Sequence, residues 1–389
     1  METSNVQSAS FRQVLLSFIL TFLFFYSSAG RAAEIIQIAI DAEGLPFLLD
    51  DAGHVWAFRD PTNGGMSQLV RISGLEHIKK IAPYEALDDK GQVFVWGLLN
   101  VNVDDTNSIF QTSYTPATKL LSLSGVTDIA HSFSHGFAVV NGNRIVTWEE
   151  ITRDAHGNWG YEITKYGPIQ EIYTVTRIKH LAAAPGSHEL MRPSTLIALL
   201  EDGTVLGWGI SEFGQETFRG GERIELGKFP DAVDVALNNR HTVVLTKQGV
   251  PLFWGGCDIW GQNNSGKPWT WGHIKNAPGA INDVQSLALN NDTFFGSNAR
   301  FDIFLKRDGT VWGARAPTPP GVPDSECGIH GNSPSQPYQL VIGDAPATQV
   351  SVGNSIVLVL DKKHRLWSWG NIGNIIKLEL MNIHIPSST

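Results

Sequence analysis

The sequence has few cysteines and few charged side chains, and each shortage narrows what the protein can be. With 2 cysteines in 389 residues, the chain can form at most one internal disulfide, and a metal site built from cysteine and scattered histidines is a poor prospect. Charged residues make up 17% of the chain and the net charge is −9, with no basic run or stripe. This charge balance argues against nucleic acid as the main partner.

Long apolar runs are also scarce, and the one that exists lies near the N-terminus. Arg12 precedes the run 14–26 (VLLSFILTFLFFY), and small residues follow it. The run suits the apolar region of a signal peptide and is short for a bilayer span of roughly 20 residues. Cleavage after Ala29 or after Ala32 would in each case leave small residues at the −3 and −1 positions of the cleavage site. We therefore expect residues 1–32 to be a signal peptide and the mature protein to be exported, to the periplasm or outside the cell; an uncleaved anchor is the alternative.

Glycine and tryptophan are abundant, and they recur in a repeated pattern. The segment EDGTVLGWGISEFGQ (201–215) holds an Asp-Gly turn, an alternating strand ending in Trp-Gly, and a Gly-Gln exit. Related segments occur at 88–97, 246–262, 306–314 and 361–370. Aligning each unit on its turn gives seven turn positions, Gly53, Gly91, Asn143, Gly203, Gly249, Gly309 and His364. An anchor follows each turn by five residues, at Phe58, Trp96, Trp148, Trp208, Trp254, Ala314 and Trp369. Seven copies of one supersecondary unit predict a repeat architecture.

Each unit contains enough strand-like runs for a four-stranded antiparallel blade. A short run, often ending in alanine, and a fully apolar run precede the turn, and a further strand precedes the short run, as at 68–72 and 118–121. Seven such blades predict an all-β fold, a single seven-bladed β-propeller over residues 33–389. The first unit lacks a preceding strand, whereas a spare strand, Ile375–Leu380, follows the last unit. We expect this C-terminal strand to complete the first blade and close the ring.

At these residues the chain resembles the regulator of chromosome condensation repeat family. The segments 233–266 and 196–215 match its repeat best, and 134–148 keeps the histidine that opens the apolar strand. The histidine survives as His135 and His241, and the Gly-Gln-Leu-Gly exit is nowhere complete. The resemblance implies a seven-bladed ring that binds something, often another protein, and a framework hydrogen-bonding role for the two histidines. The exchange-factor activity of one member type is not implied here, because an export signal and an acidic chain contradict it.

The two cysteines occupy equivalent connections of adjacent blades. Cys257 follows the anchor of the fifth unit, and Cys327 lies in the long insertion after the sixth. Both should therefore lie on the same face of the ring. A disulfide between them would fasten the loop 316–335 beside its neighbour, and two free thiols are the alternative.

Tryptophans outside the anchor rhythm provide the main functional clue. They and other aromatic residues lie in the connections that follow the anchors of units three, four and five: Trp159, Tyr161, Phe213, Trp260, Trp269 and Trp271. These connections leave the same strand end, so they should gather on one face. Aromatic residues on loops of a rigid scaffold are common binding surfaces. The alternative is that the long loops fold back and bury their own aromatic residues.

No catalytic, metal-binding or cofactor-binding motif stands out. The segment 261–267 (GQNNSGK) has the spacing of a phosphate loop, but Pro268 stands where the magnesium-binding hydroxyl should be. The turn aspartates should bond to local backbone and are poor catalytic carboxylates. We expect a monomeric, exported binding module for another protein, without cofactor or metal. A glycan-binding or glycan-hydrolysing propeller and a structural part of an envelope assembly are the alternatives, and a catalytic site assembled across blades stays open.

Overall fold

The structure is a computed structural model, and it describes the strands of all seven repeats. The described residues are 33–41, 45–59, 68–102, 110–120, 122–132, 135–152, 163–174, 177–184, 195–209, 223–238, 241–255, 281–289, 302–314, 337–340, 342–353, 356–370 and 379–380. All the regular structure among them is β-strand. Within these ranges no helix has the length and apolar character that crossing a bilayer requires.

The strands form seven antiparallel sheets, one for each predicted repeat, so the seven-bladed β-propeller is confirmed. Blade 1 comprises β1 Ile35–Ile40, β2 Pro46–Asp50, β3 Val55–Arg59 and β4 Gln68–Arg71. Blade 2 comprises β5 Ile78–Ala82, β6 Glu85–Asp88, β7 Val93–Val95 and, after a separate hairpin of β8 Leu98–Asn102 and β9 Phe110–Tyr114, β10 Thr118–Lys119. Blade 3 comprises β11 Val126–Ser132, β12 His135–Val140, β13 Arg144–Thr152, β14 Ile163–Tyr166 and β15 Gln170–Thr174.

The remaining four blades follow the same order. Blade 4 comprises β16 Ile178–Ala183, β17 Leu196–Leu200, β18 Thr204–Trp208 and β19 Ile224–Lys228. Blade 5 comprises β20 Ala232–Leu237, β21 His241–Thr246 and β22 Pro251–Gly255 among the described residues. Blade 6 comprises β23 Val284–Ala288, β24 Asp302–Lys306, β25 Val311–Ala314 and β26 Tyr338–Leu340. Blade 7 comprises β27 Ala347–Val352, β28 Ile356–Asp361, β29 Leu366–Gly370 and β30 Glu379–Leu380.

The prediction that the C-terminal strand completes the first blade is wrong. The strand β30 pairs with β29 of its own blade, through Trp367 with Leu380 and Ser368 with Glu379. Blade 1 has its own fourth strand, β4, which pairs with β3. In the blades whose fourth strand is described, that strand therefore pairs with the third strand of its own unit and covers its open edge, instead of pairing with the innermost strand of the next unit. Among the described strands, none is exchanged between the first and last blades.

The ring is closed by packing and by side-chain hydrogen bonds. The Gln349 side chain of β27 accepts a hydrogen bond from the Ile38 amide of β1 at 3.1 Å and donates to the Ile36 carbonyl oxygen. In the same way Gln37 of β1 bonds to both backbone groups of Ile81 in β5, each at 2.9 Å. The junction between blades 7 and 1 is thus built like the junction between blades 1 and 2.

The core is divided into seven apolar clusters, one at each junction between neighbouring blades. The anchor Trp96 packs with Phe47 of blade 1 at 5.8 Å between ring centroids, and Trp148 packs in the same way against blade 2. Both tryptophans are about 1% exposed. These anchors therefore fill the space between neighbouring sheets, as the sequence predicted.

A tight turn, closed by an aspartate in several blades, joins the second and third strands of each blade. The Asp361 carboxylate accepts from the amides of Lys363 and Arg365 at 2.8 and 3.0 Å and from Trp367 Nε1 at 2.9 Å. Asp50 makes the corresponding bonds in blade 1. Gly203 has φ +84° at such a turn, and a Cβ there would lie 2.2 Å from the Phe229 carbonyl oxygen. The turn glycines are thus required by backbone conformation and by a close approach.

Candidate functional site

The two faces of the ring differ in the length of their connections. The third strands of all blades run in the same direction, so the connections that follow them leave the ring on one side, which we call the insertion face. The turns between second and third strands lie on the opposite side, which we call the turn face. The two longest connections between described strands, 256–283 and 315–337, both begin at third-strand ends on the insertion face. The connections that differ most in length between blades therefore start on one side of the ring.

The aromatic residues predicted to bind lie outside the described residues, but the strands that flank them are described. Trp159 and Tyr161 fall between β13 and β14, and Phe213 between β18 and β19. Trp260, Trp269 and Trp271 follow β22. Each of these segments begins at the end of a third strand, on the insertion face. Whether their side chains come together stays a prediction.

The proposed cysteine pair also lies outside the described residues. Cys257 follows β22 of blade 5, and Cys327 falls between β25 and β26 of blade 6. Both connections leave third strands of neighbouring blades, which is the arrangement that the disulfide prediction needs. The disulfide itself stays a prediction.

Two β-ribbons extend the insertion face on blades 2 and 3. The hairpin of β8 and β9 follows β7, and Gly97 at its base bonds to the Thr115 amide at 2.9 Å and to its hydroxyl oxygen at 2.7 Å. On blade 3, β13 continues past the start of β12 and pairs there with β14. The sequence analysis missed both ribbons. The alternation LLNVN at 98–102 is the signal that could have indicated the first one.

Buried polar side chains organise the ends of the innermost strands at the insertion face. Asp41, which follows β1, accepts from the Leu45 amide at 2.7 Å and from the Tyr84 hydroxyl at 2.6 Å. The Tyr84 ring lies 5.0 Å from Phe47 and 5.9 Å from His131, centroid to centroid. The Asp41 carboxylate is therefore engaged in holding neighbouring blades together.

Burial, with the Asp41 charge adding to it, raises the pKa of the nearby Tyr114. Tyr114 donates its hydroxyl proton to the Phe58 carbonyl oxygen at 2.8 Å. This bond joins the base of the blade 2 ribbon to blade 1. The phenol is thus a neutral hydrogen-bond donor over the ordinary pH range, and its role here is structural.

The framework histidine of blade 5 makes an inter-blade hydrogen bond. His241 Nε2 lies 2.9 Å from Asp302 Oδ2 of blade 6, and both residues are buried. The His241 amide also donates to Asn238 Oδ1 at 2.9 Å. The structural role that the repeat resemblance implies is confirmed for His241. His135 lies at the corresponding start of β12, with its ring 6.3 Å from that of Phe137.

Several charges of the turn face are paired within the protein. Lys228 bonds to Asp202 at 2.6 Å and Arg307 bonds to Asp283 at 2.9 Å. The hydrogen bond from Lys228, supported by the Thr204 amide, lowers the pKa of Asp202 to about 2. The turn aspartates therefore bond to turn amides and to side chains of neighbouring connections. Within the described ranges, no group of three or more His, Cys, Asp and Glu side chains could hold a metal ion.

Comparison with known proteins agrees with the repeat architecture. No protein-family model matches the chain. The E3 ubiquitin-protein ligase HERC2 of Mus musculus and that of Homo sapiens are each 26% identical over 269 residues, which is 60% of this chain and 5% of HERC2. The chain thus spans about one-twentieth of the length of these curated relatives, and the match concerns their RCC1-like repeats.

Solved structures with a related fold include human WBSCR16 and yeast RCC1 (Prp20) bound to Kap60. The first has a TM-score of 0.47 at 14% identity, with 75% of this chain and 78% of that chain covered. The second has a TM-score of 0.47 at 17% identity, with 74% and 67% covered.

Proposed function

We propose that this chain, an RCC1-like seven-bladed propeller, is a non-catalytic module that binds another protein through its insertion face. The observation that carries the proposal is the difference between the two faces. The turn face has short turns closed by aspartates and charges paired within the chain. The long connections, including every segment with an off-rhythm aromatic residue, leave from the other face. Binding residues commonly lie on loops that a rigid scaffold positions.

The scaffold beneath this face is well suited to hold such loops in place. An apolar cluster fills every junction between blades. Polar bonds such as His241–Asp302 and Asp41–Tyr84 tie neighbouring blades together at the insertion face itself. A loop on this ring therefore loses less conformational entropy on binding than the same loop on a mobile support.

A protein partner is favoured over a glycan by the shape of the described surface. The β8–β9 hairpin and the β13–β14 ribbon extend the face outward on adjacent blades. Glycan hydrolysis needs two available carboxyl groups beside the sugar. Two of the described acids near this face, Asp41 and Asp302, are buried and bonded to Tyr84 and His241, so these two are not available for such a role. Raised ribbons with loop tryptophans suit a protein surface, where tryptophan and tyrosine are enriched at the residues that dominate affinity.

Site-specific photo-crosslinking in the producing cells tests the proposal. A photoreactive amino acid replaces Trp159 or Trp271, which lie in segments that follow third strands. As matched controls, it replaces Lys90 or Gln248, which are both exposed at turns of the turn face. We expect a discrete protein adduct from the insertion-face positions that excess unlabelled protein suppresses, and none from the turn face. Equal adducts from both faces, or adducts from the turn face alone, would overturn the proposal.

A titration of intrinsic tryptophan fluorescence against a glycan panel addresses the carbohydrate alternative. Saturable quenching that disappears in Trp269→Ala and Trp271→Ala would replace the protein partner with a glycan. We expect no glycan to quench the fluorescence in this way.

We further propose that the module acts after export, on the basis of the apolar run 14–26 and the small residues that follow it. Mass spectrometry of the N-terminus of the protein recovered from its producing cells tests this. A mature chain that starts after Ala29 or Ala32 supports export with cleavage. An intact N-terminus on protein retained in the cytoplasm contradicts it.

A further inference from the structure

The third residue of every innermost strand carries a polar side chain. The second residue of each of these strands is exposed and lies at a β-bulge. The fourth residue is apolar and in most strands buried. The seven polar residues are Gln37, Lys80, Asp128, His180, Asp234, Ser286 and Gln349. Because each starts from the strand nearest the ring axis, these side chains can bridge neighbouring blades, and we call them the polar belt.

The charged part of the belt runs continuously from blade 2 to blade 5. Lys80 bonds to Asp128, and Asp128 Oδ2 accepts from the Leu181 amide at 3.1 Å and lies 3.3 Å from His180 Nδ1. The other ring nitrogen, His180 Nε2, lies 3.3 Å from Asp234 Oδ1. His180 of blade 4 thus stands between carboxylates of blades 3 and 5.

This geometry needs a proton on each ring nitrogen. A neutral imidazole has one donor and one acceptor nitrogen, whereas the protonated ring has two donors. On losing a proton, His180 can therefore bond to one carboxylate only, and its bare nitrogen faces the other. Asp128 keeps Lys80 and the Leu181 amide, whereas Asp234 keeps the amide of Val235 at 2.8 Å. Asp128 acts on the ring through a hydrogen bond as well as through its charge, whereas Asp234 acts through its charge alone. We therefore expect deprotonation to break the weaker contact, the one with Asp234 between blades 4 and 5.

We propose that His180 is a proton-operated clasp that fastens blade 4 to both of its neighbours when protonated and loses its contact with blade 5 when neutral. Blades 3, 4 and 5 are the blades whose insertions carry all six aromatic residues of the predicted binding face. The clasp thus lies within the blades that support that face. Its test measures stability and titration, so the result does not depend on whether the face binds a partner.

The surroundings of His180 favour its charged form. Burial by itself lowers the pKa of His180, and the charge of Lys80 adds a smaller effect in the same direction. The hydrogen bond with Asp128 and the charges of Asp234 and Asp128 outweigh both effects, so the pKa of His180 is raised above its ordinary value. For Asp128, burial acts to raise the pKa, and the bonds and charges of His180 and Lys80 lower it to about 2. The same contacts thus stabilise the ionised form of both partners.

The other elements packed against β16 add few charges. The strand β17 (LIALL) has no titratable residue, and β12 has His135 alone, at its insertion-face end. On β16 itself, Lys179 donates to the Ala232 carbonyl oxygen at 2.8 Å and so is directed toward blade 5. The charged groups that decide the protonation of His180 are therefore Asp128, Asp234 and Lys80.

The sign of the pH dependence follows from the raised pKa. A histidine whose pKa is higher in the folded protein contributes stability that is fully present below its unfolded value of about 6.5 and is lost as the pH rises through the folded value. We therefore expect the folding constant to fall severalfold more in the wild type than in His180→Gln as the pH rises from 6 to 9. Amide exchange in β16 and β20, corrected for its intrinsic pH dependence, should accelerate over the same range.

The experiment combines two readouts on the full chain. Imidazole NMR resonances, assigned with His180→Gln, give the pKa of His180 directly, and urea unfolding at pH 6 to 9 gives the stability. Asp234→Asn should lower that pKa while the protein stays folded, and His77→Asn, at an exposed histidine, should leave the pH dependence unchanged. A His180 that titrates at or below the ordinary value, or a His180→Gln variant with the wild-type pH dependence, would overturn the proposal.

Discussion

The closure of the ring leads to a quantitative prediction at two matched glutamines. Replacing Gln349 with methionine keeps a side chain of similar size but removes its bonds to Ile38 and Ile36 of the first blade. Each neutral hydrogen bond contributes about 1 kcal/mol net, so two bonds give about 2 kcal/mol of unfolding free energy. Gln37→Met removes two equivalent bonds to Ile81 at the next junction and should cost about the same.

Urea unfolding, followed by both tryptophan fluorescence and circular dichroism to check for a single transition, measures these losses. Gln285→Met provides a control because Gln285 is exposed at the second position of β23, and its change should stay within about 0.5 kcal/mol. The reasoning is refuted if Gln349→Met behaves like this control while Gln37→Met loses about 2 kcal/mol. A chain that ends before Glu379 lacks β30 and should still close its ring, since that strand pairs within blade 7.

Three further changes test other parts of the structure by the same unfolding assay. Asp361→Ala should cost about 2–3 kcal/mol, because the partly buried indole N–H of Trp367 and two turn amides lose their acceptor; a loss under about 0.5 kcal/mol would refute the role of Asp361 in closing the turn. Gly203→Ala should destabilise more than Gly142→Ala, since both have positive φ but only the first places a Cβ 2.2 Å from a carbonyl oxygen; equal losses would mean that backbone strain alone matters. The contribution of Asp128, with its pKa lowered to about 2, is present above about pH 4 and is lost as the pH falls toward 2, so Asp128→Asn should flatten the acid limb of the stability profile.

The repeat pattern in the sequence was sufficient to predict the number and type of blades. Turn residues such as Gly203, followed five positions later by an anchor such as Trp208, fix where each hairpin turns and which side chain fills the neighbouring space. These are local signals, because a positive φ and a large apolar side chain are properties of single positions. The same signals could not assign the fourth strand to a blade. A strand such as Gln68–Arg71 lies between two units in sequence, and only its pairing with β3 shows to which unit it belongs.

The polar belt was also beyond sequence reasoning, for a physical reason. Asp128, His180 and Asp234 each occupy the third position of a short strand, and lie more than 50 residues apart in the chain. Their interaction depends on the bulge that turns each third residue toward the next blade and on the radial arrangement of the strands. By contrast, strand direction alone predicts that the aromatic insertions begin at one face of the ring. Whether those aromatic side chains converge stays a prediction.

The central claim is that the insertion face binds a protein, and the most direct measurement is the affinity of the crosslinked partner for matched variants. The account predicts that a variant with both Trp269→Ala and Trp271→Ala binds at least about tenfold more weakly, as expected for residues that dominate an interface. A turn-face variant with both Lys90→Ala and Gln248→Ala should bind within about twofold of the wild type, since exposed side chains outside an interface contribute little. The opposite pattern, with loss on the turn face and wild-type binding by the tryptophan variant, would contradict the account.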